Sequence, residues 1–175
     1  MGNSAKTGFE SIVFLFITHP FDVGDRVQVD GDTFIVRRMH VLTTMFRTSA
    51  GASLYVSNSI LANKQIINFR RSQDMTDIFP LDLPFGTPSS TILEFRSRVQ
   101  NFLKVNSNEF TSKGDVLVMG LDGVDKIKLS ISAQHRGNWQ DSSYRYERKI
   151  KFMLFIKDTL DELGVRHSLL EKPKP

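Results

Sequence analysis

Phe9, Ile12, Val13 and Phe16 recur at helical spacing within the stretch from Gly2 to Thr18, which predicts a helix with one apolar side. His19-Pro20 ends it, because the residue before a proline avoids the helical region. From Val23 to about Arg71 the pattern changes to short β-type runs. Val27-Gln28-Val29 alternates, Gly31-Asp32 breaks the chain, and Thr33 to Phe46 is dense in branched and aromatic residues. A second break at Ser49-Ala50-Gly51 precedes Leu54-Tyr55-Val56, and Gln65-Ile66-Ile67-Asn68-Phe69 closes the region. Together these runs predict a small β-domain, a barrel of about five strands.

From Met75 onward strands and helices alternate. A strand over Asp77 to Leu83 leads to a helix beginning at Thr87 or Pro88, with Ile92, Phe95, Val99, Phe102 and Leu103 on one face. Strands over Val116 to Leu121 and Lys126 to Ala133 are joined at Asp122-Gly123, a hairpin signal. A second helix over Ser142 to Leu163 directs Met153, Ile156, Leu160 and Leu163 inward, with Gly164 as its cap. A last strand is expected over Val165 to Leu170. The order β-α-β-β-α-β is that of a ferredoxin-like split unit. The fold class is therefore α+β, divided as residues 1–20 (helix and corner), 21–73 (β-domain) and 74–175 (ferredoxin-like domain).

Composition narrows the function. The longest apolar run, Ile12 to Ile17, falls far short of the roughly 20 residues that span a bilayer. It lacks a cleavage site, and Lys6 stands where a myristoylation signal needs Ser or Thr. Absence of cysteine excludes disulfides, thiol catalysis and thiolate metal sites. The four histidines, His19, His40, His135 and His167, have no ligand spacing, and no catalytic, nucleotide-binding or metal motif occurs. No enzyme activity, cofactor or metal is expected. Asp22 and Asp25 read as caps of local backbone donors rather than an acid-base pair. A net charge of +4 permits nucleic acid without indicating it. Basic residues cluster at Arg37-Arg38, Arg70-Arg71 and Arg145 to Lys151, so an RNA-binding or adaptor module is the alternative. The strands over Val116–Met119 and Ile127–Ile131, however, carry no aromatic residue on which a base could stack.

Gly2-Asn3-Ser4-Ala5-Lys6, Phe9-Glu10-Ser11 and above all His19-Pro20-Phe21-Asp22-Val23-Gly24-Asp25-Arg26 resemble the small-conductance mechanosensitive channel family, in its plant and fungal branch. So do Leu42 to Phe46, Asn58-Ser59-Ile60-Leu61, Ile67 to Ser72 and His135-Arg136-Gly137-Asn138-Trp139-Gln140-Asp141. The chain departs from the family at Ala50-Gly51, where Asp-Gly is common, and at Ser57-Asn58-Ser59, where Pro-Asn-Ser is common.

The resemblance implies an Sm-like β-domain below the last membrane helix and a homo-oligomeric, commonly heptameric, ring that forms a cytosolic vestibule passing ions or osmolytes on hypo-osmotic swelling. It further implies that the pore-lining half of that helix precedes residue 1, linking the region to a lipid bilayer of the plasma membrane or endoplasmic reticulum, and that Met1 is an added initiator. On this resemblance, Phe9, Phe14, Phe16, His19, Pro20 and Phe21 are expected to couple helix movement to the β-domain. Arg70, Arg71 and Arg136 are expected at portals, where they would favour anions.

Overall fold

The computed structural model describes residues 2–123 and 125–165. The chain divides into two compact units, the first made of residues 1–73 with Asn138–Gln140, the second of 74–137 with 141–175. The short return of the chain to the first unit at Asn138–Gln140 has no counterpart in the expected boundaries.

In the first unit, helix α1 (Gly2–Val13) runs into a π-helical turn, Phe14–Thr18. Five strands follow, β1 (Arg26–Val29), β2 (Asp32–Met39), β3 (Thr43–Thr48), β4 (Ser53–Ser57) and β5 (Ile66–Asn68), with one helical turn α2 (Asn58–Leu61) before the last. All pairing is antiparallel in the order β4-β3-β2-β1-β5. The β1–β2 turn is Asp30-Gly31, one residue earlier than the expected break. Both residues have positive φ, 51° and 95°, the pairing that keeps a two-residue hairpin in step with strand twist. Ser57 sits at φ −64°, the value a proline would impose, so the departure at that position leaves the β3–β4 ladder intact through Thr43 and Ser57. Phe14, Phe21, Val27, Val29, Val36, Phe46 and Leu61 form the core of this unit.

The face of α1 expected to pack is turned outward. Phe9, Ile12 and Phe16 are exposed, whereas Ser11, Phe14 and Leu15 are buried. The helix carries two apolar stripes, and periodicity identifies a stripe without saying which one the protein covers. The i→i+5 bond from the His19 N–H to the Phe14 carbonyl, 2.9 Å, also slows the rotation of successive side chains through the last turn.

The second unit contains β6 (Thr76–Pro84), α3 (Ser89–Val105), β7 (Val116–Asp122), β8 (Lys126–Gln134) and α4 (Ser142–Glu162). The sheet order β6-β8-β7 is the one a split β-α-β unit requires. Of the last expected strand, residues 166–170 lie outside the described residues. The β7–β8 loop is longer than a two-residue Asp-Gly turn, since Asp122 pairs with Lys126. Phe95, Val99 and Leu103 of α3 meet Phe152, Ile156 and Leu160 of α4 in the core. Met153, expected inward, is half exposed, and Phe152 takes its place because α4 buries the stripe through Arg148, Phe152, Ile156 and Thr159. Asp141 caps α4 by accepting from the N–H groups of Ser143 and Tyr144. No described helix is long and apolar enough to cross a membrane.

Candidate functional site

The richest constellation of side chains in the first unit lies where the helix turns into the β-domain. His19 ends the π-turn in the left-handed region, φ 40° and ψ 59°. For a residue with a Cβ that conformation costs about 1–2 kcal/mol, so its surroundings must hold it. They do so through four groups. The Arg71 guanidinium donates to the His19 carbonyl at 2.6 Å and to Asp22 Oδ2 at 2.7 Å. His19 Nε2 meets Asp22 Oδ1 at 2.7 Å and Nδ1 meets the Leu15 carbonyl at 3.0 Å. Asn68 Nδ2 donates to the Pro20 carbonyl at 3.0 Å and to Asp25 Oδ2 at 2.8 Å. The Asp25 carboxylate also accepts from the Asp22 N–H at 2.9 Å.

Asp25 is 1% exposed and serves as the expected backbone cap. Asp22 does otherwise: its carboxylate bridges His19 and Arg71. Below this polar clasp the Phe21 ring stands edge-on between Phe14 and Phe46, with centroids 5.7 Å from each.

Both ring nitrogens of His19 face acceptors, and only the imidazolium carries two N–H donors. The Leu15 carbonyl, followed by the Asp22 carboxylate, raises the His19 pKa above 6.5, against an opposing push from Arg71. The Arg71 hydrogen bond, with help from His19, lowers that of Asp22 below 3.8. A raised histidine pKa means stabilisation that is full below about 6.5 and lost as pH rises through the higher folded value. For the lowered aspartate, stabilisation is full above 3.8 and lost as pH falls through the lower folded value. The clasp is strongest between these limits. Asp22→Asn is expected to bring the His19 titration back toward that of an ordinary histidine, read by NMR of the imidazole resonances; an unchanged midpoint would show that Asp22 does not hold the ring charged.

The structure thus gathers Phe14, His19, Pro20 and Phe21 at one corner and leaves Phe9 and Phe16 exposed on the helix. Arg71 is tied into the corner while its side chain stays exposed. Arg70 lies beside Asp25 at 3.5 Å with an exposed side chain. Arg136 is in the second unit, where its Nε donates to the Ser107 carbonyl. Asn68 had no expected role, although it stands within the quoted stretch Ile67 to Ser72. Among the described residues no cluster of His, Asp or Glu could hold a metal ion.

Residues 7–71 match the family model for "Mechanosensitive ion channel, beta-domain". Mechanosensitive ion channel protein 10 of Arabidopsis thaliana is 34% identical over 97% of this chain, covering 23% of that relative. Across nearly its whole length the chain is similar to mechanosensitive ion channels of plants and fungi. Mechanosensitive ion channel protein Msy2 of Schizosaccharomyces pombe is 32% identical over 90% of the chain and 19% of its own length. The chain therefore spans about a fifth of the curated channel relatives it matches. Among solved channel structures, wild-type MSL1 of Arabidopsis thaliana superposes with a TM-score of 0.77 at 16% identity, over 93% of this chain and 57% of that one. The closed state of MscS from Helicobacter pylori gives 0.75 at 16% identity, over 98% and 67%. These two establish that the fold is shared.

Proposed function

We propose that this chain forms the vestibule of a tension-gated channel that releases ions or osmolytes under hypo-osmotic swelling, with α1 as the membrane-proximal end of a pore-forming helix. The observation that carries the reading is the likeness to mechanosensitive ion channel protein 10 along 97% of the chain. The exposed stripe of Phe9, Ile12, Phe16 and Ile17 supports it, since so apolar a surface calls for lipid or a neighbouring subunit. Identical copies arranged as a homo-oligomeric, heptameric ring on the cytosolic side of the membrane would supply the neighbours. Tension favours the state of larger in-plane area, so the switch lies in the membrane helices and this region couples and assembles them. Arg70, Arg71 and Arg136, all with exposed side chains, are the candidates for biasing portals toward anions. An RNA-binding module is disfavoured, because β7 and β8 carry no aromatic side chain.

The test is patch-clamp of the full-length protein in giant liposomes. Phe14→Ala breaks the contact of the π-turn with Phe21, whereas Phe16→Ala alters only the exposed stripe. Coupling through the corner predicts a shifted gating tension for Phe14→Ala, worth about 1–3 kcal/mol between closed and open states. Unchanged thresholds in both variants, with normal assembly, would end the coupling idea; a wild-type protein silent under tension would end the channel reading.

A further inference from the structure

Arg37 and Arg38 are consecutive in β2, and in a regular strand consecutive side chains point to opposite faces. The register slips here: Val36 pairs with Phe46, but Arg38 pairs with Met45, leaving Arg37 as the extra residue of a β-bulge. As a result both arginines reach one concavity of about 540 Å³, which Arg47, Met45, Tyr55 and Ser53 also line. The cross-strand pairs explain the grouping. Met45 and Arg47 lie two apart on β3, opposite Tyr55 and Ser53 of β4, whereas Val36 and Phe46 face the core.

Three guanidinium groups thus share one hollow, and no acidic residue lines it. Neighbouring strands are ordinarily stabilised by opposite charges and destabilised by like ones. The other arginines of this unit are engaged: Arg71 with Asp22, Arg70 with Asp25, and Arg26 with Gln140. Among the described residues Arg37, Arg38 and Arg47 have no ion-pair partner. All three are exposed, as is the Tyr55 ring at 63%.

We infer that the bulged face of β2, with Arg37, Arg38, Arg47, Tyr55 and Ser53, is a binding site for a phosphoryl anion. A carboxylate occupies a single guanidinium fork, whereas a phosphomonoester carries a charge of about −1.5 to −2 and three acceptor oxygens to share among several forks. The Tyr55 and Ser53 hydroxyls add neutral donors at the rim. The same chemistry is offered by the headgroup of a phosphorylated lipid and by a free phosphate ester. This inference does not rest on the channel reading.

The test compares the 175-residue chain with Arg38→Gln/Arg47→Gln and with a charge-matched control, Lys104→Gln/Lys113→Gln, whose lysines are exposed and lie in the second unit. Circular dichroism confirms the fold of each. One arm titrates inorganic phosphate and a soluble inositol phosphate by calorimetry at an ionic strength of ~0.15 M. The other sediments the protein with phosphatidylcholine vesicles, with and without phosphatidylinositol 4-phosphate. Binding in either arm that the arginine variant weakens about tenfold or more, with the lysine variant unchanged, supports the site. Binding confined to phosphoinositide vesicles assigns it to a lipid headgroup, and binding of soluble esters assigns it to a free anion. No binding in either arm, or equal weakening by both variants, would overturn it.

Discussion

Phe21→Ala is expected to cost the first unit about 3–5 kcal/mol and to lower its urea midpoint sharply, since a whole domain is held by only about 5–15 kcal/mol. Phe21 is fully buried and touches the rings of Phe14 and Phe46 edge-on. Each such aromatic pair contributes about 0.5–1.5 kcal/mol beyond burial alone. The void would not close easily, because its walls are the π-turn and the strands, fixed by backbone hydrogen bonds. Urea unfolding followed by tryptophan emission reads this unit, because Trp139, the only tryptophan, belongs to it and lies 6.1 Å from Phe69 between ring centres. A midpoint equal to that of the unaltered chain would refute the central place given to this ring.

The second large effect concerns Asp77, whose side chain is 6% exposed and accepts from His135 at 3.0 Å and from Arg145 at 2.6 Å. Burial alone would raise its pKa. The hydrogen bonds from His135 and Arg145, with the arginine charge, outweigh that and lower it from 3.8 to about 2. A lowered carboxylate pKa contributes stability that is complete above 3.8 and lost as pH falls toward about 2. The amount is about 2 kcal/mol. Asp77→Ala leaves the partly buried Arg145 guanidinium and the buried His135 ring without this acceptor, and about 3–5 kcal/mol should be lost at neutral pH. Helical circular dichroism reports mainly on this unit, which holds the two longest described helices, α3 and α4. Asp77→Asn should lose less stability than the unaltered chain between pH 4 and 2, the loss that remains coming from other lowered carboxylates of this unit such as Asp115 and Asp122. Parallel acid profiles for the two would disprove the role of this carboxylate.

Much of the fold was legible because its signals are local. Gly31 marks the first hairpin to within one residue, Pro88 stands at the start of α3 and Gly164 closes α4 with φ 68°. The phase of the helices was less legible. Met153 and Phe152 are adjacent and equally apolar, and only the partners α4 meets decide which is buried. The bulge at Arg37 leaves no mark in composition, because it comes from how β2 and β3 align. Within the corner, the histidine, proline and phenylalanine were legible as a group, but Asp22 with Arg71 and Asn68 with Asp25 meet across 49 and 43 residues. No short-range pattern encodes such pairs. The 58 residues separating Asp77 and His135 hid that bond in the same way.

Gln140 accepts from the Arg26 N–H at 2.8 Å, and its side-chain amide donates to the Gly24 carbonyl at 2.9 Å. Those two main-chain groups of the β-domain thus find their partner 114 and 116 positions downstream. On a ribosome adding ~5–20 residues per second, the nascent lobe waits several seconds for its final ties. During that interval the entire intervening α/β sequence is being translated. A gene fragment stopped at codon 73 would encode every strand of the lobe yet omit Asn138–Gln140, so separating the lobes by truncation removes part of the first along with the second.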